Sequence, residues 1–338
     1  MQTSSFALQT QAVYTTIQAG YDYAFGFEGG NNYVGVALSY ANSSTKSKTI
    51  NELNQTTNTT QTKGIDAVTS NAVEIAVYNS YVQDGASVQN GWGNGLFSDS
   101  ILKFSYISSD LTLLDQSNTY NTTNYALTLS QEIGYRFLLG SEGEWNIDPQ
   151  AEVALGYLNQ SNLRQTLSAQ NYLDGIQNAI VTLRSRVGAS FGYDFKKFTE
   201  GKSINAKLYV GAYYVYDYIA GGDVSLTDNF GAKVSLSPLA STGRAVMNVG
   251  TNIGVQDNTR IYFDFEKSFG GDITTDYQVN LGVRYSFGES NGYTPISAIK
   301  TKIAPLKVSG EKPQEQPSQE NTSSEEKTDT NKTEQKAQ

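Results

Sequence analysis

Charged side chains recur in this sequence within segments that are apolar at every second position. Their carboxylates could move protons or pair with guanidinium groups. In a protein that crosses a bilayer, each charge facing hydrocarbon would cost about 2–4 kcal/mol at the midplane, and together they would exceed any plausible net stability. We therefore predict a wet, lumen-lining face that carries Asp22, Glu132, Arg136, Asp148, Glu152, Arg184, Arg186, Asp194, Asp264, Glu266 and Arg284.

Two kinds of chemistry fit this lining. The first is a network of carboxylates and guanidiniums that stiffens the protein and sets the selectivity of a pore. The second is self-cleavage, in which paired carboxylates shift each other's pKa and activate an Asn in a linker threaded through the pore. That linker is not within this sequence, so we favour the network.

Catalytic and metal-binding residue types are scarce, since the sequence contains no His and no Cys. Thiol chemistry, disulfides and His-dependent catalysis are therefore excluded, and a typical zinc site is disfavoured. We predict no enzyme activity, no cofactor and no metal. The 24 basic and 33 acidic residues give a net charge of −9, which argues against a nucleic-acid partner.

The clearest of the alternating segments covers residues 276–287. Its odd positions read Tyr, Val, Leu, Val, Tyr and Phe, whereas its even positions from Gln278 to Ser286 are polar or Gly. A period of two indicates a strand with one apolar face, and this length suffices to cross a bilayer at a tilt. Ten further segments repeat the pattern without a convincing amphipathic helix. The sequence thus predicts an all-β protein, an antiparallel transmembrane β-barrel.

The connections between the eleven predicted strands alternate in length. Long polar loops follow the second, fourth, sixth and eighth strands, and the others are mostly short. Bacterial barrels place long loops outside the cell and short turns in the periplasm, and they use even strand numbers. We therefore expect about twelve strands, with a first strand missing before Val13.

The predicted domain boundaries follow the composition. Residues 1–12 are expected to be an N-terminal loop segment and residues 13–288 the barrel. Residues 289–338 are rich in Glu, Lys, Gln, Ser and Thr and hold four of the six prolines. Such a segment cannot bury enough apolar surface to offset its ordering entropy, so we expect a disordered periplasmic tail. A spacer that contacts the cell wall or a periplasmic partner is the alternative.

The N-terminus, Met1-Gln2-Thr3-Ser4, lacks the basic and apolar regions of a signal peptide. The absence of cysteine nevertheless suits a protein that crosses an oxidising compartment. Together these features predict a fragment, or one part of a longer exported product.

Aromatic residues are abundant, with 23 Tyr and 14 Phe. They could form a sugar-binding platform, but we favour the aromatic girdle that barrels place at the two membrane interfaces. The residues concerned include Tyr21, Tyr23, Phe25, Phe27, Tyr213, Tyr214, Tyr216 and Tyr218.

Five stretches of residues 13–287 resemble the C-terminal translocator barrel of autotransporters, the type V secretion proteins of Gram-negative bacteria. Residues 17–23 (IQAGYDY) and 35–41 (GVALSYA) are similar to the family's early hairpin. Residues 145–152 (WNIDPQAE) and 184–189 (RSRVGA) resemble its mid-barrel strands, and residues 277–287 resemble its closing strand.

The resemblance implies a twelve-stranded barrel in outer-membrane lipid that helps a passenger polypeptide reach the cell surface. It also implies partners for assembly, namely the barrel-assembly machinery and periplasmic chaperones. The machinery would read the closing strand as an assembly signal, here Tyr277, Val279, Leu281, Val283, Tyr285 and Phe287.

Three functions remain open on the sequence. The leading one is a translocator barrel, as a fragment lacking its passenger, pore helix and first strand. The first alternative is a free-standing outer-membrane porin or surface adhesin that acts through its long loops. The second is a soluble all-β binding module.

Overall fold

The computed structural model describes most of the chain between Thr10 and Phe287. The described ranges are 10–27, 30–47, 50–54, 59–63, 68–83, 94–112, 119–166, 172–195, 204–236, 240–255 and 258–287. Within them, no helix has the length and hydropathy that a membrane span requires. The predicted tail and most of the predicted N-terminal loop lie outside these ranges.

The described residues are organised as β-strands. In chain order these are β1 (Thr10–Phe27), β2 (Gly30–Ser47), β3 (Ile50–Asn54), β4 (Thr59–Lys63), β5 (Val68–Gln83), β6 (Gly95–Thr112), β7 (Thr119–Leu139), β8 (Trp145–Leu158), β9 (Ser161–Thr166), β10 (Tyr172–Gln177), β11 (Ile180–Asp194), β12 (Ile204–Gly221), β13 (Val224–Asp228), β14 (Lys233–Leu236), β15 (Thr242–Val255), β16 (Thr259–Phe269) and β17 (Gln278–Tyr285).

Eleven of the strands form one sheet, in the order β1-β2-β5-β6-β7-β8-β11-β12-β15-β16-β17. Every neighbouring pair is antiparallel. These are the eleven strands predicted from the period-two alternation, with ends that differ by a few residues. The prediction of an antiparallel all-β architecture is therefore confirmed.

Three hairpins lie where the sequence predicted only polar loops. Strands β3 and β4 pair with each other, and the hairpins β9–β10 and β13–β14 join into a four-stranded sheet in the order β14-β13-β10-β9. All of these strands have only four to six residues, and β3, β4 and β9 are mostly polar. Strands β13 and β14 do alternate, but over too few residues to stand out beside the longer strands. Their formation depends on pairing with each other, which a local pattern does not reveal.

The two ends of the main sheet differ in their connections. One end, here called the turn end, holds the links between β1 and β2, β5 and β6, β7 and β8, β11 and β12, and β15 and β16. The other, here called the hairpin end, carries the three additional hairpins and the links from β6 to β7 and from β16 to β17.

The main sheet is apolar on its outer face and polar on its inner face. In β8, Asn146, Asp148 and Gln150 are at most 8% exposed, whereas the alternating positions Val153 and Leu155 are 47% and 49% exposed. This arrangement is the reverse of that in a water-soluble protein, where apolar side chains are buried. An apolar outer wall of this extent is suited to contact with lipid.

The sheet curls until its two edge strands approach each other. Arg284 of β17 forms an ion pair with Asp22 of β1 on the inner side. On the outer side, the ring centroids of Tyr21 and Phe287 are 6.0 Å apart. These contacts join the first and last strands of the hydrogen-bonding order, so the inner face encloses a channel-like interior.

A pair of substitutions in β7 tests which face meets lipid. Leu129 points outward and is 50% exposed, so Leu129→Arg should lower the free energy of unfolding by about 2–4 kcal/mol. Thr128 points inward beside Lys103, its cross-strand partner, so Thr128→Glu should cost less than about 1 kcal/mol. Urea unfolding of the protein in lipid vesicles measures both values. Equal costs would contradict a dry outer face and a wet inner face.

Candidate functional site: the inward charged lining

An extensively buried ion pair lies near the turn end. Arg136 donates two hydrogen bonds to Asp148, from Nε at 3.0 Å and from Nη2 at 2.9 Å. Asn146 donates a third to Asp148 at 2.7 Å, and the Asp148 side chain is fully buried. Asp194 and Lys207 face each other nearby, as partners in the register of β11 and β12. The Arg136–Asp148 geometry is bidentate and both carboxylate oxygens accept hydrogen bonds, which helps to offset the burial of the charge.

Three carboxylates form a row across the middle of the lining. Asp99 is the register partner of Glu132, and Glu132 is the register partner of Glu152. Glu152 accepts a hydrogen bond from Ser130 at 2.9 Å and lies 3.7 Å from Nη1 of Arg186. Within the described ranges, no group of three or more acidic side chains is arranged to hold a metal ion.

Tyrosines complete the middle of the lining. The guanidinium carbon of Arg186 lies 3.9 Å from the ring centroid of Tyr213, which is 4% exposed. Tyr209 donates a hydrogen bond to Asp264 at 2.8 Å, and Asn248 donates another at 2.9 Å. Assigning Tyr213 to the outer girdle was wrong, because it shares the inward phase of β12 with Tyr209.

Two arginines share one carboxylate towards the hairpin end. Asp217 accepts a hydrogen bond from Nε of Arg184 at 2.6 Å, and it pairs with Arg244 through its other oxygen. Asp217 and Arg244 are buried, whereas the side chain of Arg184 is half exposed. With two guanidiniums and one carboxylate, the cluster carries a net positive charge near the hairpin end.

A fourth cluster lies between the two edge strands. Asp22 accepts a hydrogen bond from the hydroxyl of Tyr78 at 2.8 Å and pairs with Arg284. The guanidinium of Arg284 also lies 5.2 Å from the ring centroid of Tyr33. This cluster connects β1, β2, β5 and β17.

The eleven residues predicted to line the lumen all lie at inward positions of their strands, and Glu266 is opposite Asn248 and Gln278. Sequence reasoning missed further inward charges for different reasons. Four of them lie on β6 and β12, whose inward positions are odd-numbered and so were not in the even-numbered set. Glu74 on β5 has the even-numbered inward phase and was simply left out. Others stand just before the first apolar residue of a predicted strand. The missed residues are Glu74, Asp99, Lys103, Lys207, Asp217, Arg244 and Arg260.

The predicted assembly signal forms an outward stripe on the closing strand. Its exposed fractions are Tyr277 67%, Val279 56%, Leu281 72%, Val283 68%, Tyr285 60% and Phe287 72%. The rings of Tyr285 and Phe287 are stacked, with centroids 6.5 Å apart. The stripe is therefore accessible from outside the barrel.

Most of the aromatic residues assigned to a girdle also point outward. The exposed ones are Tyr21, Tyr23, Tyr214, Tyr216 and Tyr218. The side chains of Phe25 and Phe27 lie outside the described residues. At the turn end, Trp145 stacks on Phe191 with ring centroids 5.1 Å apart. These outward rings are compatible with the interfacial belt predicted from the sequence.

Comparison with solved structures identifies similar folds. The beta domain of the Bordetella autotransporter BrkA matches with a TM-score of 0.61 at 18% identity, covering 82% of this chain and 92% of that one. The transport unit of the autotransporter AIDA-I from Escherichia coli matches with a TM-score of 0.56 at 16% identity, covering 82% and 84%.

Similar sequences occur in much longer proteins. The serine protease pet autotransporter of Escherichia coli O44:H18 is 26% identical over 280 residues, which are 81% of this chain and 19% of the relative. Serine protease EatA of Escherichia coli O78:H11 is 28% identical over 241 residues, covering 66% and 17%. The chain therefore spans less than a fifth of the length of these relatives.

A family model described as the autotransporter beta-domain matches residues 1–266. This match covers more than half of the chain. It agrees with the curled sheet, whose apolar side chains face outward and whose polar side chains face inward, and with the folds of the solved beta domains. The chain belongs to the autotransporter beta-domain family.

Proposed function

We propose that this chain is an outer-membrane translocator barrel that helps a passenger polypeptide reach the cell surface. The observation that carries this proposal is the inverted sheet, with lipid-compatible side chains outside and charged side chains inside, in a member of the autotransporter beta-domain family. The alternative of a free-standing porin or adhesin has no better support. The barrel's role would be passage and anchoring, not catalysis.

The inward charges would line a water-filled lumen and stiffen its wall. Their support is the pairing of carboxylates with guanidiniums on neighbouring strands, as for Arg136 with Asp148 and Asp217 with Arg244. Paired charges hold adjacent strands in register and keep the inner wall polar. An extended polypeptide could therefore pass through the lumen while its backbone stays hydrated.

The hairpin end would face the outside of the cell. The support is the general rule that outer-membrane barrels have short periplasmic turns and longer external loops. With this orientation, β1 and β17 both run from outside to periplasm, so residues 289–338 would follow on the periplasmic side. We propose this segment as the disordered periplasmic tail.

The outward stripe of β17 would be the signal read by the barrel-assembly machinery, with periplasmic chaperones delivering the unfolded chain. Its support is the exposure of its six side chains and its position at an edge of the sheet. An edge strand offers unpaired backbone groups to a partner strand, and its alternate side chains supply specificity.

Removing the buried carboxylate near the turn end should weaken the barrel. Asp148→Asn leaves the guanidinium of Arg136 buried without a counter-charge, which should lower the free energy of unfolding by about 3–5 kcal/mol. Lys103→Gln, in the more exposed pair with Glu74, should cost no more than about 1 kcal/mol. Urea unfolding in vesicles compares the two. A smaller loss for Asp148→Asn would show that the network does not stiffen the wall.

A change in the closing stripe should slow assembly more than it disturbs the folded barrel. Phe287→Ser should reduce the heat-modifiable, folded fraction in outer membranes several-fold, whereas refolding of the purified protein in detergent should fall only slightly, through loss of the ring contact with Tyr21. Phe269→Ser is the matched control, since Phe269 is an outward ring on β16. Equal losses in cells for both variants would indicate a general need for outward aromatics, not a signal.

Reporter fusions test export and orientation together. A secretion signal and an unstructured epitope placed before Met1 should become sensitive to protease added to intact cells. The same epitope placed after Gln338 should stay protected until the outer membrane is opened. Protection of both would count against export and favour the porin alternative, and exposure of the C-terminal epitope would reverse the proposed orientation.

A further inference from the structure

A polar side chain lies in the middle of the apolar outer wall. Gln131 on β7 is exposed and points outward between Leu129 and Ile133, which are each 50% exposed. Along the strand it is six residues from Tyr125 and six from Phe137, two outward rings. A tilted strand crosses the hydrocarbon in about 9–11 residues, so the amide of Gln131 lies near the midplane of the span between these rings.

Three more polar side chains share the outward face beside Gln131. Asn79 on β5 is the register partner of Ser100 on β6, and Ser100 is the register partner of Gln131. Ser98 is the next outward residue of β6. These four residues, here called the amide patch, carry no charge. The outward side chains around the patch are apolar, namely Val77, Leu96, Leu102, Leu129, Ile133 and Val153.

The hydrogen-bonding capacity of the amide patch is only partly used. Ser100 donates to Oε1 of Gln131 at 2.5 Å, and an amide oxygen can accept two such bonds. Nε2 of Gln131 donates to Ser98 at 2.8 Å and to the carbonyl oxygen of Glu132 at 2.9 Å. Within the described ranges, Oδ1 of Asn79 is enclosed without a hydrogen-bond partner. Hydrocarbon supplies no partner to any of these groups.

Small side chains flank Gln131 on both neighbouring strands. Ser98 and Ser100 lie on one side, and Ala151 of β8 lies on the other, as the register partner of Ile133. In membranes, small residues at a contact allow two protein surfaces to approach closely, and polar side chains then bond across it. Another protein wall could therefore come within hydrogen-bonding distance of Gln131.

The chemistry of the amide patch fits a second copy of this chain. An amide both donates and accepts, so the patch is complementary to itself, and without charges it does not repel an identical patch. A two-fold axis along the membrane normal keeps each residue at one height in both copies. The amide of Gln131 in one copy then meets the same amide in the other. A soluble partner cannot reach this depth in the bilayer.

From these observations we propose that the amide patch is the contact through which two copies of this barrel associate within the membrane. Across the two-fold axis, Nε2 of each Gln131 donates to Oε1 of the other, in place of its bond to the carbonyl oxygen of Glu132. This inference requires that the outer face meets lipid, and it does not depend on export of a passenger.

Energy transfer in lipid vesicles tests the association. Phe230→Cys, in the exposed turn between β13 and β14, accepts a donor or an acceptor dye, since the chain has no other cysteine. Energy transfer should persist on dilution with lipid beyond that expected for random mixing. Gln131→Met removes the hydrogen bonds at similar volume, so it should weaken association at least about fivefold. Leu129→Met, the matched control on the same strand, should change association by less than about twofold.

Disulfide cross-linking tests the same contact without altering Gln131. Ser100→Cys lies beside the axis, so a membrane-permeant oxidant should link two copies of this variant in vesicles. Val249→Cys is the control, since Val249 is an outward residue of β15, four strands away from β7 in the sheet. It should form few linked dimers. Heat-modifiable migration on gels shows that each variant remains a folded barrel.

Several outcomes would overturn the proposal. Energy transfer no greater than that of random mixing would show that the barrel is monomeric. Equal weakening by Gln131→Met and Leu129→Met would assign the association to apolar packing and not to the amide. Cross-linking of Val249→Cys as fast as that of Ser100→Cys would place the contact on another wall. Loss of reporter export would count against the proposed function alone, because association is measured without a passenger.

Discussion

The fold depends on one constraint, namely that a hydrocarbon environment gives no hydrogen bond to a backbone amide and no counter-ion to a charge. Strands meet the first demand by pairing with their neighbours. Alternation meets the second by placing most of the charges on the inner face. The inward phase of β8, with Asn146, Asp148 and Gln150, and its outward phase, with Val153 and Leu155, show both conditions within 14 residues. The rest of the main sheet repeats this solution.

Because the apolar side chains face outward, the interior is held together by polar contacts and rings. The four charged clusters share some strands, such as β7 and β8, and together they connect much of the wall. Arg186 links two kinds of contact, since it pairs with Glu152 on β8 and packs on the ring of Tyr213 on β12. A wall connected in this way keeps its shape while presenting polar groups to anything inside it.

The alternation in the sequence was sufficient to predict the eleven strands and the face on which the charges lie. It was not sufficient where stability comes from pairing instead of lipid contact, as in the hairpins β9–β10 and β13–β14. It also missed outward polar groups that satisfy each other. Gln131 points outward from β7 and bonds to Ser98 and Ser100 of β6 at 2.8 Å and 2.5 Å. Which charges meet, such as Asp22 with Arg284, depends on the curl of the sheet and is not a property of any one segment.

The pairing of β10 with β13 connects the hairpins β9–β10 and β13–β14, which belong to two different loops of the main sheet. Leu173 is opposite Asp228 and Gln177 is opposite Val224. This register fixes the position of each hairpin relative to the other. A one-residue insertion or deletion within one of these strands would send its own subsequent side chains to the opposite face of the small sheet and shift its pairing with the other strand by one residue. Evolution of the two loops should therefore be coupled, with changes in length tolerated at their tips and compensated in pairs within their stems.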